Sequence, residues 1–134
     1  MASQLEDTVE ITIPRERDFS IVAELVVGGI AARHDVTLDV LDDLQLALGS
    51  LLENDDDEAE GEISVVLSVG GDVIEASVGP LCERTVVELE ADTGEELGLR
   101  RLLDTTVDEV SLSTRPGGTW VQLRKGFASA GLER

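Results

Sequence analysis

Apolar residues follow two periods along this chain, and the switches between them mark its elements. From Thr8 to Ile13, Val9, Ile11 and Ile13 alternate with Glu10 and Thr12, the period of a half-buried strand. Pro14 closes it. A helix starts at Asp18 or Ser20 and runs to about Arg33, with Ile21, Leu25 and Ile30, joined by Val22 and Val26, as its apolar stripe. Gly28 and Gly29 inside it lower helix propensity by about 1 kcal/mol each relative to alanine. A close approach to a neighbouring element would explain them, as would fraying. Leu41, Leu44, Leu48, Leu51 and Leu52 then recur at helical spacing between Asp39 and Asn54. Thr37 or Asp39 is placed to cap the first turn, and Asp42 and Asp43 suit the positive end of the helix dipole.

An acidic, turn-prone connection runs from Asn54 to Gly61. Glu62 to Val69 is predicted as a strand with Ile63, Val65, Leu67 and Val69 on one face, and Asp72 to Val78 returns after a Gly70-Gly71 hairpin. Gly79-Pro80 breaks the return strand. Leu81 to Glu96 does not resolve, because the short apolar run Thr85 to Leu89 fits a strand or a helix. Asp92-Thr93-Gly94 reads as a turn and a helix start. Leu99, Leu102, Leu103 and Thr106 predict a third amphipathic helix ending near Thr106. Val110, Leu112 and Thr114 alternate as a strand, Arg115-Pro116-Gly117-Gly118 turns, and Thr119 to Lys125 is the last strand. Residues 126–134 carry little pattern and are expected to form a loose tail. Hairpins demand antiparallel pairing. The expectation is therefore one α+β domain over residues 1–134, a two-layer sandwich whose mostly antiparallel sheet is covered on one face by about three helices.

Composition narrows the function classes. Aromatics are only 2% of the chain, so leucine and valine must fill the interior. Acids outnumber bases 29 to 10, a formal charge of −19, which repels nucleic acid and anionic membranes and suits a basic protein partner. A solubility adaptation explains the same charge. The single cysteine, Cys82, excludes an intrachain disulfide. The first residues lack a signal-peptide pattern and no apolar run is long enough to span a bilayer, so a cytoplasmic location is expected.

Three stretches carry a resemblance to a known family. They are DDLQLALGSLLEN (Asp42 to Asn54), GEISVVLSVGGDVIEASVG (Gly61 to Gly79) and LGLRRLLDTTVDEVSLSTRPGGTWVQLRK (Leu97 to Lys125). Together, over roughly Val9 to Lys125, the chain resembles the histidine-kinase-like ATPase domain, the Bergerat fold. Its nearest form is the small anti-sigma factors, the serine-kinase switch proteins of bacterial stress and sporulation pathways. The resemblance implies three ATP·Mg motifs. In the first, Glu-x-x-x-Asn, the Glu activates the nucleophile and the Asn holds Mg²⁺. Asn54 stands at the metal position, but Ser50 stands at the Glu position, and serine cannot take a proton as a carboxylate can. Glu53 falls on a different helical face. The following Asp55 to Glu58 puts acids where a triphosphate would lie, with only Ala59 matching the family. The second motif, Asp-x-Gly, reads the adenine amino group; here it is Ser77-Val78-Gly79. The third, Gly-x-Gly, brings the last helix to the phosphates. Counted from Glu96 it reads Glu96-Leu97-Gly98-Leu99 and keeps one glycine. Counted back from Asp108-Glu109-Val110, Leu97 and Leu99 fill both glycine positions.

The resemblance thus implies an ATPase scaffold with degenerate motifs and no catalytic residue. The vestigial cofactor positions are Asn54, Ser77, Gly79 and Gly98. The expected function is a non-catalytic, anti-sigma-like module that contacts a sigma factor, an anti-anti-sigma-like regulator or another signalling domain. Asp39, Asp42, Asp43, Asp55, Asp56, Asp57 and Glu58 form the candidate partner surface. The alternative is an active serine/threonine kinase with divergent motifs, which would need ATP and Mg²⁺, the metal on Asn54. A homodimeric scaffold, paired through the Ser20 to Arg33 helix or the last strand, is a third possibility.

Other chemistry is thinner. Asn54 also suits a helix end. Asp55 to Glu58 lacks the ligand spacing and glycine of a calcium loop and reads as a solvated turn. The one histidine, His34, cannot build a zinc site or triad alone and reads as a helix-end residue. Cys82 lies beside Glu83 and reads as a passive thiol, and Trp120 as packing. Arg100-Arg101 opens a helix, where cations are disfavoured, which marks either surface charge or a contact to an acid.

Overall fold

The computed structural model of the chain describes residues 7–55, 61–90 and 98–127. Strands β1 (Asp7–Pro14), β2 (Glu62–Gly70), β3 (Val73–Gly79), β4 (Glu109–Arg115) and β5 (Gly118–Gly126) form one sheet in the order β1-β2-β3-β5-β4. Every neighbouring pair is antiparallel. Both hairpins use two-residue turns. In the first, Gly71 takes φ +61 between the paired Gly70 and Val73, the geometry that calls for glycine at the first central position. In the second, Pro116-Gly117 links the paired Arg115 and Gly118, with Gly117 at φ +98, as a proline-then-glycine turn requires.

Four α-helices, with a 3-10 turn at Arg17–Phe19 before the first, complete the described elements: α1 (Ser20–Arg33), α2 (Leu38–Asn54), α3 (Glu83–Glu90) and α4 (Leu99–Thr106). The period-two pattern of the strands decides where they lie. Ile63, Val65, Leu67 and Val69 of β2, Ile74, Ala76 and Val78 of β3, and Val121 and Leu123 of β5 are buried in one cluster with Leu44, Leu48 and Leu51 of α2. The other face of the sheet is polar. There Thr12 and Ser64 hydroxyls meet at 2.8 Å, and Arg124 reaches Glu75 at 2.9 Å across β3 and β5. The molecule is thus the two-layer α+β sandwich its pattern predicts, with four helices instead of about three. The extra one is α3, in the stretch whose five-residue apolar run fits either period.

The two N-terminal helices depart from the predicted packing. Ile21 and Leu25, expected in the buried stripe of α1, are 56% and 69% exposed. Ala23, Val27, Ile30 and Ala31 are buried instead. α1 is apolar on nearly every side, so spacing alone does not select the face, and the side with small alanines approaches its neighbours closely. Nor do Gly28-Gly29 mark a close approach. A Cβ on Gly28 would make ordinary contact with Gln45, and one on Gly29 would meet nothing within 4 Å. The close approach falls at Gly49 of α2, where a Cβ would stand 2.7 Å from Oε2 of Glu24. Gln45 Nε2 donates to the Glu24 carbonyl at 3.0 Å beside it. Thr37 is the N-cap residue of α2 but makes no side-chain cap bond. Among the described residues no helix is long and apolar enough to cross a membrane.

Candidate functional site

The C-terminal end of α2 runs into a corner built by the end of β1, the turn after β3, and helices α3 and α4. Asn54, the last residue of α2, is half-buried. Its Nδ2 donates to Oγ1 of Thr85 on α3 at 3.2 Å, and its carbonyl accepts Nη2 of Arg84 at 2.5 Å. Thr85 is fully buried and also lies 3.3 Å from Sγ of Cys82. The amide of Asn54 therefore seats α3 against α2. Ser50, one turn earlier on the same helix, is partly exposed, and Glu53 is exposed.

Asp55 does not lie on an exposed acidic surface. Its side chain is 1% exposed and forms an ion pair with Arg15, itself 8% exposed. Arg15 follows β1 directly, and its guanidinium also donates to the Pro80 carbonyl. The second carboxylate oxygen of Asp55 accepts the N–H of Cys82 at 2.8 Å. One buried pair thus joins three places far apart in sequence: the end of β1, the end of α2 and the turn leading into α3. Burying both charges is costly, and the pair is held by bonds to both carboxylate oxygens and from the guanidinium to the Pro80 carbonyl. Pairing removes Asp55 from the candidate partner surface. Asp39 and Asp42 remain exposed on α2, and Asp43 reaches Lys125 of β5 at 3.3 Å. Asp56, Asp57 and Glu58 lie outside the described residues.

The predicted cofactor positions separate into two groups. Gly98 is the N-cap residue of α4, in the helical layer with Asn54, and α3 bridges the two. Ser77 and Gly79 lie on the opposite, polar face of the sheet. Ser77 pairs in register with Val66 and Gln122, and it is Val78 that faces the helices. Over Gly79 sits Trp120: a Cβ there would be 2.5 Å from its ring. Arg115 stacks on the same indole, 4.5 Å from its centroid, a cation–π contact. A base held between sheet and helices would therefore meet Val78, not the Ser77 hydroxyl. The alternation of Ile74, Ala76 and Val78 carries this facing in the sequence. Glu96 and Leu97 lie outside the described residues.

The remaining candidates find ordinary partners. His34 caps the end of α1 with Nε2 3.1 Å from Asp7, which Arg33 also contacts at 2.7 Å. Arg100 is not loose surface charge: Nε meets Asp104 at 3.1 Å and Nη1 donates to the Leu89 carbonyl of α3 at 2.8 Å. Among the described residues no three His, Cys, Asp or Glu side chains gather as a metal site. Arg15 and Thr85 hold the corner together, and neither belongs to a sequence motif. Thr85 and Leu89, four apart and both buried, were the available helical signal for α3. Nothing local pairs Arg15 with a residue 40 positions away.

No family model matches this chain. It is similar to the serine-protein kinase RsbW of Bacillus velezensis, with 29% identity over an alignment covering 84% of this chain and 82% of that protein. The relative's name is of the serine-kinase class that the sequence resemblance implies.

Proposed function

We propose that this chain is a non-catalytic, anti-sigma-like regulator that acts by binding a protein partner, a sigma factor or an anti-anti-sigma-like protein. The observation that carries the reading is the state of the α2 terminus. The amide of Asn54 is engaged by Thr85, and the next residue is a buried carboxylate held by Arg15. Ser50 supplies no base one turn earlier, and Val78, not a carboxylate, faces the helices. The partner surface is the outer side of α1 and α2, where Asp39 and Asp42 accompany the exposed Ile21, Leu25, Leu38 and Leu46. Apolar residues among acids suit an apolar face rimmed by lysine or arginine, and the overall charge of −19 favours encounter with such a partner. The test is capture of a sigma factor or anti-anti-sigma protein at low salt, with Leu25→Ser and Asp42→Lys as paired variants. Both variants are expected to weaken capture, and added salt to weaken it further. Undiminished capture by both variants removes the assigned surface; no capture of either protein class removes the reading.

The second reading is an active serine/threonine kinase that binds ATP·Mg. The likeness to a serine-protein kinase and the presence of Asn54 favour it. Titration calorimetry with ATP and Mg²⁺ separates the two. The regulatory reading expects no heat of binding, whereas binding abolished by Asn54→Ala supports the kinase.

A further inference from the structure

The two outer strands of the sheet are guarded differently. Among the described residues β1 pairs with β2 alone and β4 with β5 alone. An outer strand presents a row of open N–H and C=O groups, which proteins commonly guard with charge, proline or a cover. β1 has such guards: Glu10 is exposed at its middle, Pro14 closes it, and Asp7 at its start meets Arg33 of α1 at 2.7 Å. β4 has none along its middle. From Val110 to Thr114 it reads VSLST, without charge or proline, in a chain where 29% of residues are charged. The last strand, β5, lies between β3 and β4 and offers no edge.

The register shows which backbone groups of β4 are open. Arg115 and Gly118 close a two-residue turn, so they exchange hydrogen bonds, and Ser113, Ser111 and Glu109 follow at every second position. Val110, Leu112 and Thr114 therefore turn their N–H and C=O groups away from β5. Val110 and Leu112 are only half-buried against the core. The strand ends carry opposite charges, Glu109 and Arg115, placed evenly about Leu112. Neither is held in a tight ion pair. Glu109 is 72% exposed and 3.9 Å from Arg124, and Arg115 is exposed and rests on the Trp120 ring.

We propose that β4 is a docking edge for β4 of a second copy of this chain, antiparallel and centred on Leu112. A two-fold pairing sets one residue against another and repeats the contact in reverse. Centred here, Leu112 meets Leu112, Val110 meets Thr114, and Glu109 meets Arg115 at both ends. The three residues with open backbone groups then face one another. Glu109 and Arg115 fall on a non-hydrogen-bonded pair, where opposed side chains stand closest. Centring on Ser111 or Ser113 leaves both charges unmatched. The edge thus supplies local attraction between copies whose formal charge of −19 otherwise repels. β4 is the edge opposite β1, to which α1 is tied, so the pairing does not depend on the regulatory reading.

Light scattering and sedimentation of the full chain over a wide range of concentration test it. The unmodified chain is expected to form a reversible dimer. Glu109→Arg brings two arginines together at each end, and Arg115→Glu brings two acids together. Each is expected to weaken the dimer by on the order of tenfold. Mixing these two single variants restores both opposite-charge pairs, so the mixture is expected to dimerise where neither variant does alone. Thr114→Pro removes an N–H directed at the second copy and none directed at β5. It is expected to weaken the dimer while keeping a thermal midpoint near that of the unmodified chain. Should it unfold, the charge variants and their mixture decide. A chain that stays monomeric throughout, a dimer indifferent to both charge reversals, or a mixture no better paired than its components overturns the proposal.

Discussion

The core cluster that holds Leu48 draws its side chains from all four α-helices and from strands β1, β2, β3 and β5, and all are apolar. Around Asp55, the groups that meet come from equally distant parts of the chain, and each contact is a named donor and acceptor. The first region depends on area removed from water, which is non-directional and shared among many neighbours. The second depends on a few pairs whose loss leaves a buried charge or N–H without a partner. The corner at the end of α2 is therefore specified more sharply than the core and has fewer ways to relax.

The largest expected effect tests that difference directly. Asp55→Ala leaves the Arg15 guanidinium buried and unpaired, and should cost about 3–5 kcal/mol of stability in denaturant unfolding. Replacing both members together, Arg15→Met with Asp55→Leu, should recover most of the loss. A double variant as unstable as Asp55→Ala would mean that the pair is not a self-contained unit. Next is Leu48→Ala in the core, expected to cost about 2–5 kcal/mol through lost burial and a cavity. Gly79→Ala places a methyl against the Trp120 ring and should cost about 1–3 kcal/mol as overpacking, readable as a lower thermal midpoint and a moved tryptophan emission. Smallest is Asn54→Ala, which removes the bond to Thr85 for about 1 kcal/mol. Its exchange signature should be confined to α3, and a loss spread over the sheet would show that Asn54 does more than seat that helix.

The same contrast explains what was legible in the sequence. Strands β2 and β3 and helix α2 alternate or recur over seven residues or more, so their elements and buried faces follow from pattern alone. α1 is a helix by spacing, but apolar residues on nearly every side hide its outer face, and spacing points Ile21 and Leu25 inward where the structure turns them out. α3 is too short for its period to separate helix from strand. Ser77 fits a motif by its spacing from Gly79, while the alternation of Ile74, Ala76 and Val78 turns it away from the helices. The Arg15–Asp55 pair was not legible at all, since two charges 40 residues apart carry no local signal. Patterns report what buries area; they are silent on which polar groups find each other.

Trp120 is the chain's single tryptophan, and the sequence has no tyrosine. It rests on Gly79 under Arg115, on the sheet face turned away from α3 and α4. Its emission is a native optical gauge of the β3–β5 seam. Loss of the whole fold should shift that emission, while amide exchange on α3 and α4 follows the helical side of the corner, so the two readouts together separate the motions without any label.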